Sequence, residues 1–465
     1  MTDIANIGLR PRTDGLPWTA LALGSAVVLL MAPALWNGYP LVYYDSVDYV
    51  KMPFVWSMPI YRTAGYWPFT AAGRLFGSLW AVVLVQSLLV AYVTYEGLRC
   101  FLPWAPRRAL VAIMALAALA SGLPWFASEI MPDAMTGVVV LATARLAFDD
   151  GGLGLRRLVA LAAILAMAIA AHTSHIALEG GLLLCLALAA WAARQGWGWP
   201  LPRPRLRTVL LAFVAALGLA AGSNWLMTGR LFLVQDNAVL TLGLFVQDGL
   251  AEEYLAELCK KPGPHPRLCA VRRRLPRNAN TFLWHDRDFD RLGGWTKMDP
   301  EAHRIVAGAI EAYPLTYAWD SIKLTLQQLA MVGTGDGIRP MRYLIGDTIA
   351  KYYPRENRSF LTSRQQRGID FRTPNKLQVP LLLLASAALL PALGIAWRRH
   401  DPALVGLIGV VLLALVGNAF VCGALSNPND RYQSRIAWLA MFALAVAAAR
   451  LTQRRPGRYP ATVSV

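Results

Sequence analysis

Long apolar runs, each almost free of charge, alternate along this chain with short basic or polar connectors. Uncharged runs of about 17 to 25 residues are long enough to cross a bilayer. On that measure the pattern predicts about ten spans, near 17–37, 75–97, 109–127, 134–148, 158–172, 176–193, 208–226, 378–396, 403–421 and 435–451. The pattern breaks once, between about 227 and 377, where charged residues are frequent. Stretches there such as "GLAEEYLAELCKK" and "DPEAHRIVAGAIEAY" carry helical periodicity. A segment of that length is too long for a structureless loop in a compact chain. The expected architecture is therefore an all-α polytopic membrane protein with a mainly helical domain between helices 7 and 8. Its parts are an N-terminal transmembrane module (1–226), a soluble domain (227–377), and C-terminal transmembrane helices with a basic tail (378–465).

Composition agrees with that pattern. Of 465 residues, 56% are hydrophobic and only 16% charged, with a mean hydropathy of +0.41. A soluble protein of this length could not hide so much apolar surface. A net charge of +17 would suggest nucleic acid in a soluble chain. Here the basic residues stand in short clusters between apolar runs, so they read as orientation signals, and a nucleic-acid partner is discounted. With a cytoplasmic N-terminus, the inside segments hold Arg10 and Arg12; Arg99, Arg107 and Arg108; Arg156 and Arg157; Arg194, Arg203, Arg205 and Arg207; Arg398 and Arg399; and Arg454, Arg455 and Arg458. Both termini are then cytoplasmic, the Pro- and Arg-rich "GWGWPLPRPRLR" is a cytoplasmic connector, and the 227–377 domain is periplasmic, as expected of a bacterial inner-membrane protein. The first apolar run is expected to stay as a span, because it is long and no small-residue cleavage motif follows it. If the polar domain faces an oxidising compartment, Cys259 and Cys269 are a reasonable disulfide; the alternative is two free thiols.

With this orientation the unusual polar groups gather on the outer side. The first outer loop supplies Asp45, Asp48, Tyr49 and Arg62, the second Glu129 and Asp133, the third His172, His175 and, deeper, Glu179, and the last Asp430, Arg431 and Arg435. Short loops hold such groups near their helix ends, so they should lie at similar depth around a polar cavity. Each has a plain alternative. Asp45 and Asp48 could be a solvated helix end, and Asp133 after Pro132 could simply start a helix. His172 and His175 lack a third metal ligand, so hydrogen bonding or proton handling is expected and no metal is indicated. Arg431 and Arg435, one helical turn apart on the side where Arg is disfavoured, suit a phosphate, with Arg62 in support.

Two motifs carry no weight at this level. "DRDFDRLGGWTK" has Arg291 and Lys297 where a calcium loop needs Gly and Glu. "GTGDG" at 333–337 lacks the spacing of a dinucleotide loop and reads as a turn.

The "YYDSVDY" of the first outer loop, the "MPIYRTAGY" after it, the "MPDAMTG" of the second and the long late outer domain resemble the GT-C class of membrane glycosyltransferases. That resemblance implies transfer of a sugar from a polyprenyl-phosphate donor to a cell-envelope glycan or lipid at the outer face of the membrane, by inverting displacement and with no required cofactor. It also implies a catalytic carboxylate at Asp45, assisted by Asp133, with Asp48 the alternative base. Glu129, Tyr49, His172 and His175 would attend the acceptor, the sugar or a proton. Neighbouring readings are a lipid-linked glycan ligase or polymerase, another lipid-linked group transferase, and a flippase or transporter. The last would want polar helices at the bilayer midplane and paired repeats.

Overall fold

In a computed structural model, residues 16–59, 62–149, 151–195, 203–235 and 237–452 are described. Arg10, Arg12, Arg454, Arg455, Arg458 and most of the expected connector lie outside them. The described chain is helical, with no strand and one isolated parallel bridge between Leu41 and Glu129. In order it forms α1 (Leu16–Asn37), α2 (Ser46–Val55), α3 (Trp67–Phe76), α4 (Trp80–Phe101), α5 (Pro106–Ala120), α6 (Leu123–Ala127), α7 (Met135–Ala147), α8 (Leu155–Ala170), α9 (Thr173–Arg194) and α10 (Leu206–Thr228). The polar segment folds as α11 (Asn237–Asp248), α12 (Leu250–Leu258), α13 (Ala279–His285), α14 (Arg287–Arg291), α15 (Gly294–Ala312), α16 (Pro314–Ala330), α17 (Arg342–Tyr352) and α18 (Asn357–Thr362). It is followed by α19 (Arg372–Arg398), α20 (Pro402–Gly423) and α21 (Asp430–Thr452).

Seven of these helices are long and apolar enough to cross a membrane: α1, α4, α9, α10, α19, α20 and α21. The chain is a multi-pass membrane protein in that sense. The other three expected spans are helical but short, α5 with 15 residues, α7 with 13 and α8 with 16. At about 1.5 Å of rise per residue they fall short of a hydrocarbon core of about 30 Å. All 13 residues of α7 are buried, against α4, α8 and α20. A helix enclosed on all sides by other helices needs no polar stripe, and its polar side chains Thr136, Thr143 and Arg145 are partnered inside the protein, by His175, Glu179 and Asp149.

The helix ends follow local chemistry. Proline opens α5 and α20, where its missing N–H costs nothing. Asp401 accepts from the Leu404 N–H at the start of α20 (3.1 Å). The N-terminal end of α4 is closed from a distance: the Glu356 carboxylate accepts from the Leu79 N–H (3.2 Å), Ser78 Oγ (2.5 Å) and Tyr39 Oη (2.9 Å).

The polar segment divides between two apolar cores. Residues from Ala238 to Ala309 build a core of their own, with Phe245, Phe282, Phe289 and Met298 at its centre. Beyond it, Met341, Ile345, Ile349, Tyr353 and Phe360 belong to the core of the bundle. Charge frequency marks the whole segment as polar, but only its first half has an independent interior. Cys259 and Cys269, flanking that interior, form a disulfide.

The expectation that the unusual polar groups collect at one end of the bundle is incomplete. At the other end Arg157 pairs with Glu96, and Arg145 donates to Asp149 at 3.0 Å. Glu96 sits inside an apolar run, so it is unremarkable in one dimension until the fold sets it against Arg157.

Candidate functional site

Two connecting segments are stitched together at the C-terminal end of α1. The Leu41 N–H donates to Ser128 O (2.9 Å) and the Ile130 N–H to Leu41 O (2.9 Å). Ser46 Oγ donates to Ile130 O (3.0 Å) while accepting from the Tyr43 N–H (2.8 Å). This fixes Asp45, at the start of α2, beside the Pro132–Ala134 turn that carries Asp133. Asp45 makes no capping hydrogen bond to α2, so its carboxylate is available to other partners.

Those partners come from α21 and from the segment before α3. Arg431 and Arg435, one turn apart, both reach Asp133 Oδ1, from Nε at 3.2 Å and from Nη1 at 3.1 Å. Arg431 Nη1 also stands 3.8 Å from Asp45 Oδ2. Arg62 pairs with Asp45 and lies 3.5 Å from Asp48, which also holds Lys51 at 2.8 Å. Arg435 Nη2 donates to Ser174 Oγ and Asn418 Oδ1, each at 3.0 Å. The Arg431 guanidinium lies over the Tyr43 ring at 4.2 Å, and Arg62 lies over Tyr49 at 5.5 Å. The result is one continuous ion-pair network drawn from four separate parts of the chain.

Burial sorts the carboxylates by what they can do. The Asp133 and Arg435 side chains have no exposed surface, whereas Asp45 keeps 20% of its side chain accessible. Burial alone would raise the Asp133 carboxyl, but the Arg431 and Arg435 guanidiniums outweigh it and hold the group well below the usual carboxylate range. A carboxylate so placed is a counter-ion that aims two arginines. Burial pushes Glu129 the other way, up to about 8, and the neighbouring Asp133 charge adds to the effect. Glu129 Oε1 has no hydrogen-bond partner among the described residues. Of Asp45, Asp133 and Glu129, it is Asp45 that combines partial exposure with contact to the Arg431 guanidinium.

The remaining expected residues split. His172 caps α9, its ring accepting from the Ser174 N–H, and touches Ser174 Oγ at 2.8 Å, one step from Arg435. His175 is used on both ring nitrogens, by Thr136 Oγ1 (2.8 Å) and Ala168 O (2.7 Å), and so ties α7 to α8 and α9. Glu179 accepts from Thr143 Oγ1 at 2.9 Å on both oxygens, two turns down α7 from Thr136. It belongs to the packing of α7 on α9. Tyr49 is buried against Tyr66 and forms a wall under Arg62. Among the described residues no group of three His, Cys, Asp or Glu is placed to hold a metal.

The 333–337 loop is part of the same network. It is a turn, as expected. Asp336 Oδ2 accepts from the Arg431 N–H (3.3 Å), and the Gly333 N–H donates to Asp430 Oδ1 (2.8 Å). Gly337 has φ +75°, and a Cβ there would meet the Tyr43 ring at 1.8 Å. Only glycine allows both the turn and the contact. The "DRDFDRLGGWTK" stretch, by contrast, runs from α14 into α15, with Asp286 capping the Asp288 N–H at 2.7 Å.

Comparison with family models, with curated proteins and with solved structures gives no match.

Proposed function

We propose that this protein is a membrane glycosyltransferase of GT-C type, moving a sugar from a polyprenyl-phosphate donor to a cell-envelope glycan or lipid. The observation that carries the reading is the arginine pair Arg431/Arg435 held on buried Asp133, with Asp45 3.8 Å from Arg431 at the accessible edge. A phosphate leaving group needs fixed positive charge and little protonation, and a pre-aimed guanidinium supplies the charge without reorganisation. The acceptor hydroxyl needs a carboxylate within reach of its proton. As the acceptor oxygen bonds to the anomeric carbon, the bond from that carbon to the phosphate oxygen breaks and the electron pair leaves with the phosphate beside Arg431. The acceptor proton passes to Asp45, and direct displacement inverts the anomeric centre.

The arrangement also couples the two substrates. A donor phosphate at Arg431 competes with Asp45 for that guanidinium, so donor binding loosens Asp45 from one cation while Arg62 still positions it. In this reading α5, α7 and α8 complete a bundle of ten helices, the termini are cytoplasmic, and the site with the α11–α15 unit faces the periplasm of a bacterial inner membrane. The basic clusters that alternate with the apolar runs support that orientation.

The test is transfer by membranes carrying Asp45→Asn, together with mass spectrometry of envelope glycans with and without the protein. The expected result is loss of one glycan modification without the protein and again with Asp45→Asn, at unchanged expression and melting temperature. Transfer at the wild-type rate by the variant would remove Asp45 as the base, and unchanged glycans without the protein would remove the reading itself.

A further inference from the structure

The second half of the polar segment carries a charge that neither the bundle nor the site explains. Between residues 339 and 376 there are nine Lys or Arg and three Asp or Glu, a net charge of +6. The independently packed unit before it, residues 237–313, has eleven basic and ten acidic residues, a net charge of +1. Two of the three acids in the basic stretch serve helix starts: Glu356 closes α4, and Asp370 Oδ1 accepts from the Arg372 N–H (2.9 Å). The basic side chains are left largely uncompensated, and Arg355, Arg358, Arg364, Arg367, Arg372 and Lys376 are all exposed.

Where these side chains sit decides what they meet. Arg364 Nε donates to Trp36 O at the C-terminal end of α1 (2.9 Å), and its guanidinium lies over the Trp36 ring at 4.8 Å. Trp36 is itself 50% exposed on a membrane-spanning helix. Arg355 flanks Glu356, which is bound to the first turn of α4, and Arg372 opens α19. The basic groups therefore ring the ends of three spanning helices at one level. Exposed apolar side chains are interleaved with them, Tyr343 at 70%, Leu361 at 43% and Leu377 at 59%. Basic groups mixed with exposed aromatic and aliphatic ones at a helix end describe a surface immersed in lipid headgroups, with stems and rings in the acyl boundary and charges among phosphates. A surface for a soluble polyanion would carry the charge without the apolar side chains.

We propose that residues 339–376 form a headgroup-level collar that binds anionic phospholipids through their phosphodiesters around the ends of α1, α4 and α19. The collar requires only that the chain spans a membrane, and it stands or falls separately from sugar transfer.

The experiment uses the full-length protein, delipidated in a neutral detergent and mixed with phosphatidylglycerol or phosphatidylcholine, with retained lipid counted by native mass spectrometry. Phosphatidylglycerol should be retained over phosphatidylcholine, less so at high salt. Retention should fall about tenfold in the triple variant Arg355→Gln/Arg358→Gln/Arg364→Gln. The control Arg272→Gln/Arg273→Gln/Arg274→Gln, on the independent unit, should retain lipid as wild type does. If the triple variant does not fold, the single reversal Arg358→Glu at an exposed position gives the same reading with a smaller fall. Equal retention of the two lipids, or no loss in the variants, overturns the collar. Displacement of phosphatidylglycerol by equimolar inorganic phosphate would instead make it a free-phosphate site, and preference for soluble polyphosphate would make it a polyanion surface; either result overturns the proposal.

Discussion

Asp133 and Arg435 are fully buried and Arg431 nearly so, so removal of Asp133 strands two buried cations. Breaking a buried ion pair from one side costs about 3–5 kcal/mol. Asp133→Ala should therefore lower the melting temperature sharply as well as abolish activity. Asp45→Asn, at a partly exposed position, should abolish activity alone, and thermal unfolding of the two variants side by side checks the difference. Glu129 gives a pH signature. Its folded-state carboxyl is raised to about 8, above the ordinary carboxylate value of about 4.3, so the folded protein holds a proton that the unfolded chain has released. The stability it contributes is fully present below that ordinary value and is lost as pH rises through about 8. Glu129→Gln, which keeps the neutral form at every pH, should melt close to wild type at pH 5 and above it at pH 9. A gap that does not widen with pH would show that Glu129 is not titrating there.

At the scale of single elements, the site depends on a turn that neighbours a helix it does not belong to. Gly337 allows the 333–337 loop to lie against Tyr43, which in turn lies under Arg431. Gly337→Ala forces a side chain into the left-handed region and into that ring, an effect of about 1–3 kcal/mol. Activity should fall with a modest loss of melting temperature, both measured on the purified variant. Sequence spacing identified "GTGDG" as a turn because glycine punctuation is local. It could not reveal that the turn meets α21 about a hundred residues later. The arginines of α21 were legible for the opposite reason: two guanidiniums one turn apart share a helix face whatever the fold does around them.

For the whole molecule, the apolar runs place the long helices but miss some ends, α19 starting at Arg372 and the expected 109–127 run breaking into α5 and α6 after Ala120; a long apolar stretch in lipid satisfies its own backbone only as a helix. Seven of those helices are long and apolar enough to cross on their own. An apolar run records only that a segment avoids water, and protein interior serves α7 as well as lipid would. Orientation belongs to this scale too. A cysteine placed at exposed Lys260 should react with a membrane-impermeant maleimide added to intact spheroplasts, whereas one placed at exposed Arg205, next to α10, should react only after permeabilisation. The reverse pattern would invert the topology and place the site on the cytoplasmic side. Reduction of the purified protein should add the mass of two hydrogens at the Cys259–Cys269 bridge, read by intact mass spectrometry.

The sequence alone determined the helical membrane class, the helix positions and the candidate charges, since hydropathy and helical periodicity act within a turn or two of chain. Tertiary structure decided which of those charges meet. It buried Asp133 between Arg431 and Arg435, left Asp45 at the accessible edge, assigned His175 and Glu179 to helix packing, and brought Asp336 to the network. Ion pairing and desolvation depend on distance in space and on what covers a group, and neither is written in the separation between residues along the chain.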